Sequence, residues 1–262
     1  MTYAELLADN QRLRKRIIEL EQENARLKGQ YEPLLPESKS PTLESHKSLT
    51  EEEKEIELRR RVNLFRSLFR GREDVYAQRF VTKDGKRGYQ PVCRNRWSIE
   101  CKAHKYKCEG CAHRDLVPLD DAIIRRHLNK GAKETDIIGL FPIMEDNTCF
   151  FLCADFDDKN CQHGYKDDVL SYVGVCNDWS IPVYIERSRS GNGAHLWIFF
   201  SEPVSAALAR KLGFAILGSA MERNVQLDMK SYDRFFPNQD FVPNGGLGNL
   251  VALPLQGDAK HK

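Results

Sequence analysis

The run Phe150-Phe151-Leu152-Cys153-Ala154-Asp155-Phe156-Asp157-Asp158 constrains this chain more than any other stretch. It is an apolar segment that ends in two acids separated by one residue. In a strand, side chains alternate between faces, so Asp155 and Asp157 leave the strand end on the same side while Phe156 turns into the core. Asp158 faces away or starts the loop. Two carboxylates so placed can share divalent cations, and hard oxygen ligands suit Mg2+ or Mn2+, which bridge acids and substrate phosphates in two-metal nucleotidyl transfer. A single pair of this kind also describes a polar strand end entering a turn. The other motifs therefore decide its meaning.

About thirty residues on, Glu186-Arg187-Ser188-Arg189-Ser190-Gly191-Asn192-Gly193-Ala194-His195 leads into the apolar run Leu196 to Phe200. This is a glycine-containing turn between two strands. Gly191 and Gly193 let backbone approach a phosphate, Ser188 and Ser190 offer hydroxyls, Arg187 and Arg189 offer charge, and Asn192 lies within the same turn. His195, at the start of the next strand, is within reach of a phosphate held there. A third segment, Leu227 to Asp240, contributes another acid. Asp228 has the more hydrophobic neighbours, Asp233 is the alternative, and either can complete a metal site with Asp155 and Asp157. Gly245 to Gln256 reads as a glycine turn feeding a buried strand.

Eight cysteines are present, and four of them, Cys93, Cys101, Cys108 and Cys111, crowd together with the spacing C-x7-C-x6-C-x2-C. Four soft ligands ending in a Cys-Glu-Gly-Cys knuckle read as structural Zn2+ over about residues 91–115, a closed site that staples a loop and does no chemistry. His104 or His113 can replace one ligand, and an iron-sulfur cluster is the lesser alternative. Lys102, Lys105, Lys107 and Arg114 with Trp97 and Tyr106 give this stretch a composition suited to single-stranded nucleic acid, or one that merely solvates the knuckle.

The organisation around these motifs is tripartite. Residues 1–29 carry Leu6, Leu13, Leu20 and Leu27 at seven-residue spacing, with Asn10 and Asn24 at the second seam position, which predicts a short coiled coil and a parallel homodimer. Residues 30–49, with Pro33, Pro36 and Pro41, predict a flexible linker, and a globular domain follows over 50–262. Thr50 and Glu53 form a capping-box signature, after which helical spacing continues to about Arg70. Strand-like runs (Arg79 to Val81, Cys149 to Phe156, Val183 to Glu186, His195 to Phe200) mix with helical ones (Asp120 to Leu128, Lys166 to Asp178, Ser205 to Met221), which predicts an α+β fold. Forty Lys and Arg against thirty-eight Asp and Glu leave a net charge of only +2, so any basic groove must be local. No stretch is a signal peptide or membrane span, which places the expectation in the cytoplasm, away from membranes.

Taken together, the five motifs resemble the archaeo-eukaryotic primase superfamily, and more closely the primase-polymerase domains of TOTE conflict systems and CRISPR-associated primase-polymerases. The resemblance runs from about Phe80 to Gln256. It implies an RNA-recognition-like divided catalytic core with a zinc knuckle, and template-directed synthesis from NTPs or dNTPs on single-stranded DNA or RNA. Within it Asp155, Asp157 and a third acid, Asp233 by position in the motif, hold the metal, with His195 beside the triphosphate. The family pattern S-x-H departs here, because Gly193 stands where the serine is expected. A helicase often follows the primase in this family, so a longer natural protein or a helicase partner is expected. The alternatives are a catalytically degenerate nucleic-acid-binding and dimerisation module of a mobile-element or defence system, and a metal-dependent nuclease.

Overall fold

Among the described residues, eight strands form two four-stranded antiparallel sheets. The computed structural model describes Lys15, Glu19 and residues 50–129, 131, 133–158, 164–223 and 229–257. The chain divides into one unit over Met1–Thr50 and a second over Glu51–Lys262. In the first, Lys15 and Glu19 are helical and exposed; the rest of the predicted coiled coil of 1–29 and the predicted linker of 30–49 lie outside the described residues. The second unit holds everything that follows.

Helix α1 (Glu51–Leu68) opens it, with three acids in the first turn and Arg66 in the last, the arrangement the helix dipole favours. Strands β1 (Ala77–Val81) and β2 (Arg87–Pro91) come next, then the short α2 (Ile99–Ala103) and α3 (Asp121–Leu128). Helix α3 starts at the Asp120 carboxylate, which accepts from the Ile123 amide. After β3 (Ile138–Leu140), the order is β4 (Thr148–Asp157), α4 (Lys166–Asp178), β5 (Tyr184–Arg187), β6 (Gly193–Ser205), α5 (Ala206–Arg223), β7 (Tyr232–Phe236) and β8 (Val251–Ala252). One sheet runs β2-β1-β3-β8 and the other β5-β6-β4-β7. The α+β class expected from periodicity is the one the chain adopts. Strands β2, β3 and β7 escape sequence reading because β2 and β7 carry charged or polar residues through their centres and β3 is only three residues long.

The period of two along β4 and β6 sorts their side chains between two cores. Leu152, Ala154 and Phe156 join Leu196 and Ile198 on the face covered by α4 and α5, packed with Tyr172, Val175, Ile216 and Phe235. Each such large apolar side chain contributes roughly 1.5–3 kcal/mol on full burial. Phe151, Cys153 and Trp197 belong to the opposite face and pack with Val62, Phe65 and Phe69 of the α1 region, and with Ile138, Leu140 and Val251 of the other sheet. Asp155 and Asp157 continue the Phe151-Cys153 row, so the alternation places both acids on the face turned towards the second sheet. Among the described residues no helix is long and apolar enough to cross a membrane.

Candidate active site

Strand register assembles the site around Asp155. On one side Asp155 is paired with His195, and His195 in turn with Glu186; on the other side Asp155 is paired with Arg234. Paired residues in neighbouring strands present their side chains to the same face, which makes a row Glu186, His195, Asp155, Arg234 across three strand boundaries. The His195 Nδ1 donates to Glu186 Oε2 at 2.9 Å, and Trp197 Nε1 donates to the same oxygen at 2.9 Å. That leaves Nε2 directed at Asp155 Oδ1, 3.5 Å away. Burial works against a charged His195 ring, but the hydrogen bond and charge of Glu186, with the Asp155 charge, outweigh it and hold the ring above its ordinary pKa. Asp155 is pushed above the usual carboxylate range, first by burial and then by Asp233 and Asp157, with His195 and Arg234 opposing. The three acids therefore share one electrostatic neighbourhood, and a cation there would relieve the repulsion between them.

Asp233 reaches that neighbourhood through a bulge. Asp155 pairs with Arg234 whereas Phe156 pairs with Tyr232, so Asp233 is an extra residue on β7 with no opposite number on β4. In an unbroken strand it would point away from Arg234; the bulge re-aims it, and Arg234 Nε donates to Asp233 Oδ2 at 2.9 Å. The start of β7 is pinned from below. The buried Asp168 of α4 accepts from both the Ser231 amide (3.2 Å) and hydroxyl (2.5 Å), and Ser231 O accepts from the Asp157 amide at 2.7 Å. Asp228, the alternative third acid, lies outside the described residues.

The hairpin turn between β5 and β6 is a closed unit. Ser188 N donates to Gly193 O, Gly191 N to Ser188 O, and Asn192 N to Ser190 Oγ, while the Ser188 and Ser190 hydroxyls lie 3.1 Å apart. Gly191 has φ +82°, a left-handed conformation that suits glycine. Gly193 is required for another reason: a Cβ there would lie 2.3 Å from Phe156 O and 3.2 Å from Ser188 Oγ. No serine fits at 193, and the hydroxyl nearest that place comes from Ser188 across the turn. Arg187 Nε donates to Gly191 O at 3.3 Å, and Arg189 pairs with Glu134 at 3.2 Å, a carboxylate also paired with Arg79 of β1. Burial raises the Tyr89 hydroxyl pKa while Arg79 and Arg189 pull it back, which sets both cations beside β2.

This turn lines a cleft of about 720 Å3, together with Tyr184 to Arg187 of β5, Trp197 and Phe199 of β6, Leu68 and Phe69, and Pro254 to Gln256. Asp155, Asp157 and His195 stand beside the cleft and not in its wall; Glu186, which does line it, connects the two. Sequence reasoning missed Glu186 and Asp168. The signal for Glu186 was its place in a strand paired with the strand of His195; for Asp168 there was none, since its partner is a serine sixty-three residues away.

The four clustered cysteines are free and half-buried. The Cys108 thiol pKa is raised by burial and further by Cys93, Cys101 and Cys111, with Arg96 opposing, so the four sulfurs lie within electrostatic reach of one another. The Asp115 amide donates to Cys93 Sγ at 3.3 Å, as amides do to metal-bound thiolates, and an isolated bridge ties Cys93 to Leu116. The donor set thus fits zinc. Even so, among the described residues no three His, Cys, Asp or Glu side chains stand close enough to form a metal cage, at the cysteines or at the acids. The sulfurs share a neighbourhood short of a coordination polyhedron.

Residues 60–262 match the family model described as the TOTE conflict system, Archaeo-Eukaryotic Primase domain. No curated protein matches the chain.

Proposed function

The chain belongs to the archaeo-eukaryotic primase domain family of TOTE conflict systems, and from that we propose that it is a template-directed nucleotidyltransferase, a DNA primase or polymerase that builds strands from NTPs or dNTPs. The observation that carries the reading is the strand register that sets Asp155 opposite His195, with Asp157 two residues on and Asp233 at the β7 bulge, at the edge of a cleft whose wall is the Arg187-to-Gly191 turn. Asp155, Asp157 and Asp233 would hold Mg2+ or Mn2+, and the chemistry such an ion would supply is activation of the attacking hydroxyl and offset of charge on the leaving pyrophosphate.

The chain's own residues do the rest. Glu186 fixes the His195 ring by accepting at Nδ1, so that Nε2 faces the acids and any phosphate bound to them. Glu186 is therefore a positioning residue. Arg187, Arg189, Ser188, Ser190 and the backbone of Gly191, Asn192 and Gly193 cradle the triphosphate, with Ser188 supplying the hydroxyl that the family pattern would draw from residue 193. The apolar flank of the cleft, Tyr184, Trp197 and Phe199, suits the base and sugar. The order β4-α4-β5-β6-α5-β7 with pairing β5-β6-β4-β7 supports reading this half as the RNA-recognition-like catalytic core. Zn2+ on Cys93, Cys101, Cys108 and Cys111 would staple residues 91–115. Further parts of the proposal are a parallel homodimer through residues 1–29, a single-stranded DNA or RNA template, a helicase domain or partner, and action in the cytoplasm.

The test is incorporation of labelled NTPs and dNTPs on a single-stranded template, primed and unprimed, in Mg2+ or Mn2+. Product that disappears in the Asp155→Ala, Asp157→Ala double variant, itself folded, is the expected result. Absence of product in either metal from the folded wild-type chain would overturn the polymerase reading in favour of a catalytically degenerate nucleic-acid-binding module.

A further inference from the structure

The cysteine-rich segment presents a surface that neither catalysis nor metal binding uses. Trp97 is 68% exposed, Ile99 81% and Tyr106 39%, although all three lie within ten residues of one another. Trp97 and Tyr106 meet edge to face, ring centres 5.7 Å apart. The Arg96 guanidinium lies 5.1 Å from the Tyr106 ring centre and 5.9 Å from that of Trp97. Arg96 is itself locked, donating to Tyr106 O at 2.9 Å and to Gln90 Oε1 of β2 at 2.8 Å. Lys105 and Tyr106 both hold positive φ (53° and 59°), a conformation that costs non-glycine residues free energy and here turns the Tyr106 ring onto Trp97.

Single exposed aromatics are ordinary; a locked aromatic-arginine cluster set among cations is not. From Cys93 to Asp115 there are six Lys and Arg against three Asp and Glu, whereas the whole chain is nearly balanced at forty against thirty-eight. Lys102, Lys105 and Lys107 are exposed beside the rings. Every unpaired base has a π-face that stacks on an open indole, and its phosphate then meets the neighbouring lysines. A duplex offers no such face, and an acidic peptide would use the lysines while gaining nothing from the rings.

We propose that Trp97, Tyr106 and Arg96, flanked by Lys102, Lys105 and Lys107, form a stacking platform for single-stranded nucleic acid, separate from the catalytic cleft. The platform goes beyond the polymerase reading and does not require it, because strand binding is measured without nucleotide or added divalent metal.

The experiment is fluorescence anisotropy of a labelled oligothymidylate titrated with the full chain, using wild type, Trp97→Ala, Trp97→Phe and a Lys102→Ala, Lys105→Ala, Lys107→Ala triple variant, each checked for an unchanged thermal midpoint. Trp97→Ala should weaken binding about tenfold and Trp97→Phe by less than about threefold, the range for loss or retention of one stacked base. The triple variant should make the log-log salt dependence shallower by about 2, at about 0.7 for each phosphate that a lysine no longer neutralises. Binding is read without nucleotide or divalent metal, which separates this result from failure of catalysis. Equal affinity of wild type and Trp97→Ala, equal affinity for an abasic strand, or full displacement by duplex DNA would each overturn the platform. Displacement by polyglutamate that is as strong against Trp97→Ala as against wild type would do so too, and would identify an acidic protein as the partner.

Discussion

Replacing Gly193 by serine restores the S-x-H spacing of the family pattern, and the geometry says that the restored motif will damage the site. A Cβ at 193 would sit 2.3 Å from Phe156 O, where an ordinary contact needs more than about 3.2 Å. The obstacle is backbone, so no side-chain rotation relieves it, and β4 and β6 must part by roughly 1 Å at the Asp157-Gly193 pair. That pair lies two residues from the Asp155-His195 pair, so the displacement falls on the acids as well. Overpacking of this kind costs about 2 kcal/mol. For a domain of this size the midpoint should fall by about 4–8 °C, as read by differential scanning calorimetry. Incorporation should fall with it, whereas Ser188→Ala should reduce incorporation about tenfold at an unchanged midpoint. A Gly193→Ser protein with wild-type midpoint and wild-type incorporation would refute both the steric argument and the assignment of the hydroxyl to Ser188.

Three further outcomes follow from the structure. His127 is fully buried between the Ile138 amide, which donates to Nδ1, and Pro254 O, and burial lowers its pKa from 6.5 to about 4. Its folded pKa lies below the unfolded one, so the unfolded chain binds the proton first and stability is lost as pH falls from about 6.5 towards about 4; about 2 kcal/mol should be gone by about pH 5. Urea unfolding at about pH 7.5 and about pH 5 should show that difference shrink in His127→Gln, and an equal pH dependence in both proteins would refute it. Glu186→Ala removes the shared acceptor of His195 and Trp197, and steady-state kinetics should show kcat reduced at least about tenfold with little change in KM, partly restored in Glu186→Gln. A change confined to KM would show that Glu186 contacts substrate and does not position His195. If the four cysteines hold zinc, elemental analysis should find about one ion per chain, lost in Cys108→Ser together with several degrees of midpoint.

The β7 bulge shows most clearly where sequence reading stops. Asp155 and Asp157 were legible because a period of two is a property of the strand itself, and the apolar run that precedes them leaves only one face for the acids. The helical runs at Asp120 to Leu128, Lys166 to Asp178 and Ser205 to Met221 were legible for the same local reason, with boundaries moved by a residue or two. Asp233 was placed by motif alone, since a regular strand would have aimed it at the wrong face and only the register shift against β4 re-aims it. Glu186 depended on which residue of β5 lies opposite His195, and register is decided by the turn and the partner strand, not by either segment. Gly193 looked like a gap in a motif until the approach of Phe156 O showed that no side chain fits. Asp168 carried no sequence signal, because its partner Ser231 is brought to it by the packing of α4 under β7. The amino-acid order by itself determined the acidic strand end, the mixed α+β composition and the cysteine cluster, since each depends on residues close in the chain. Tertiary structure alone decided how Asp233 is aimed, what orients His195 and which hydroxyl lies nearest Gly193, because those depend on pairings and approaches between strands that neither segment specifies by itself.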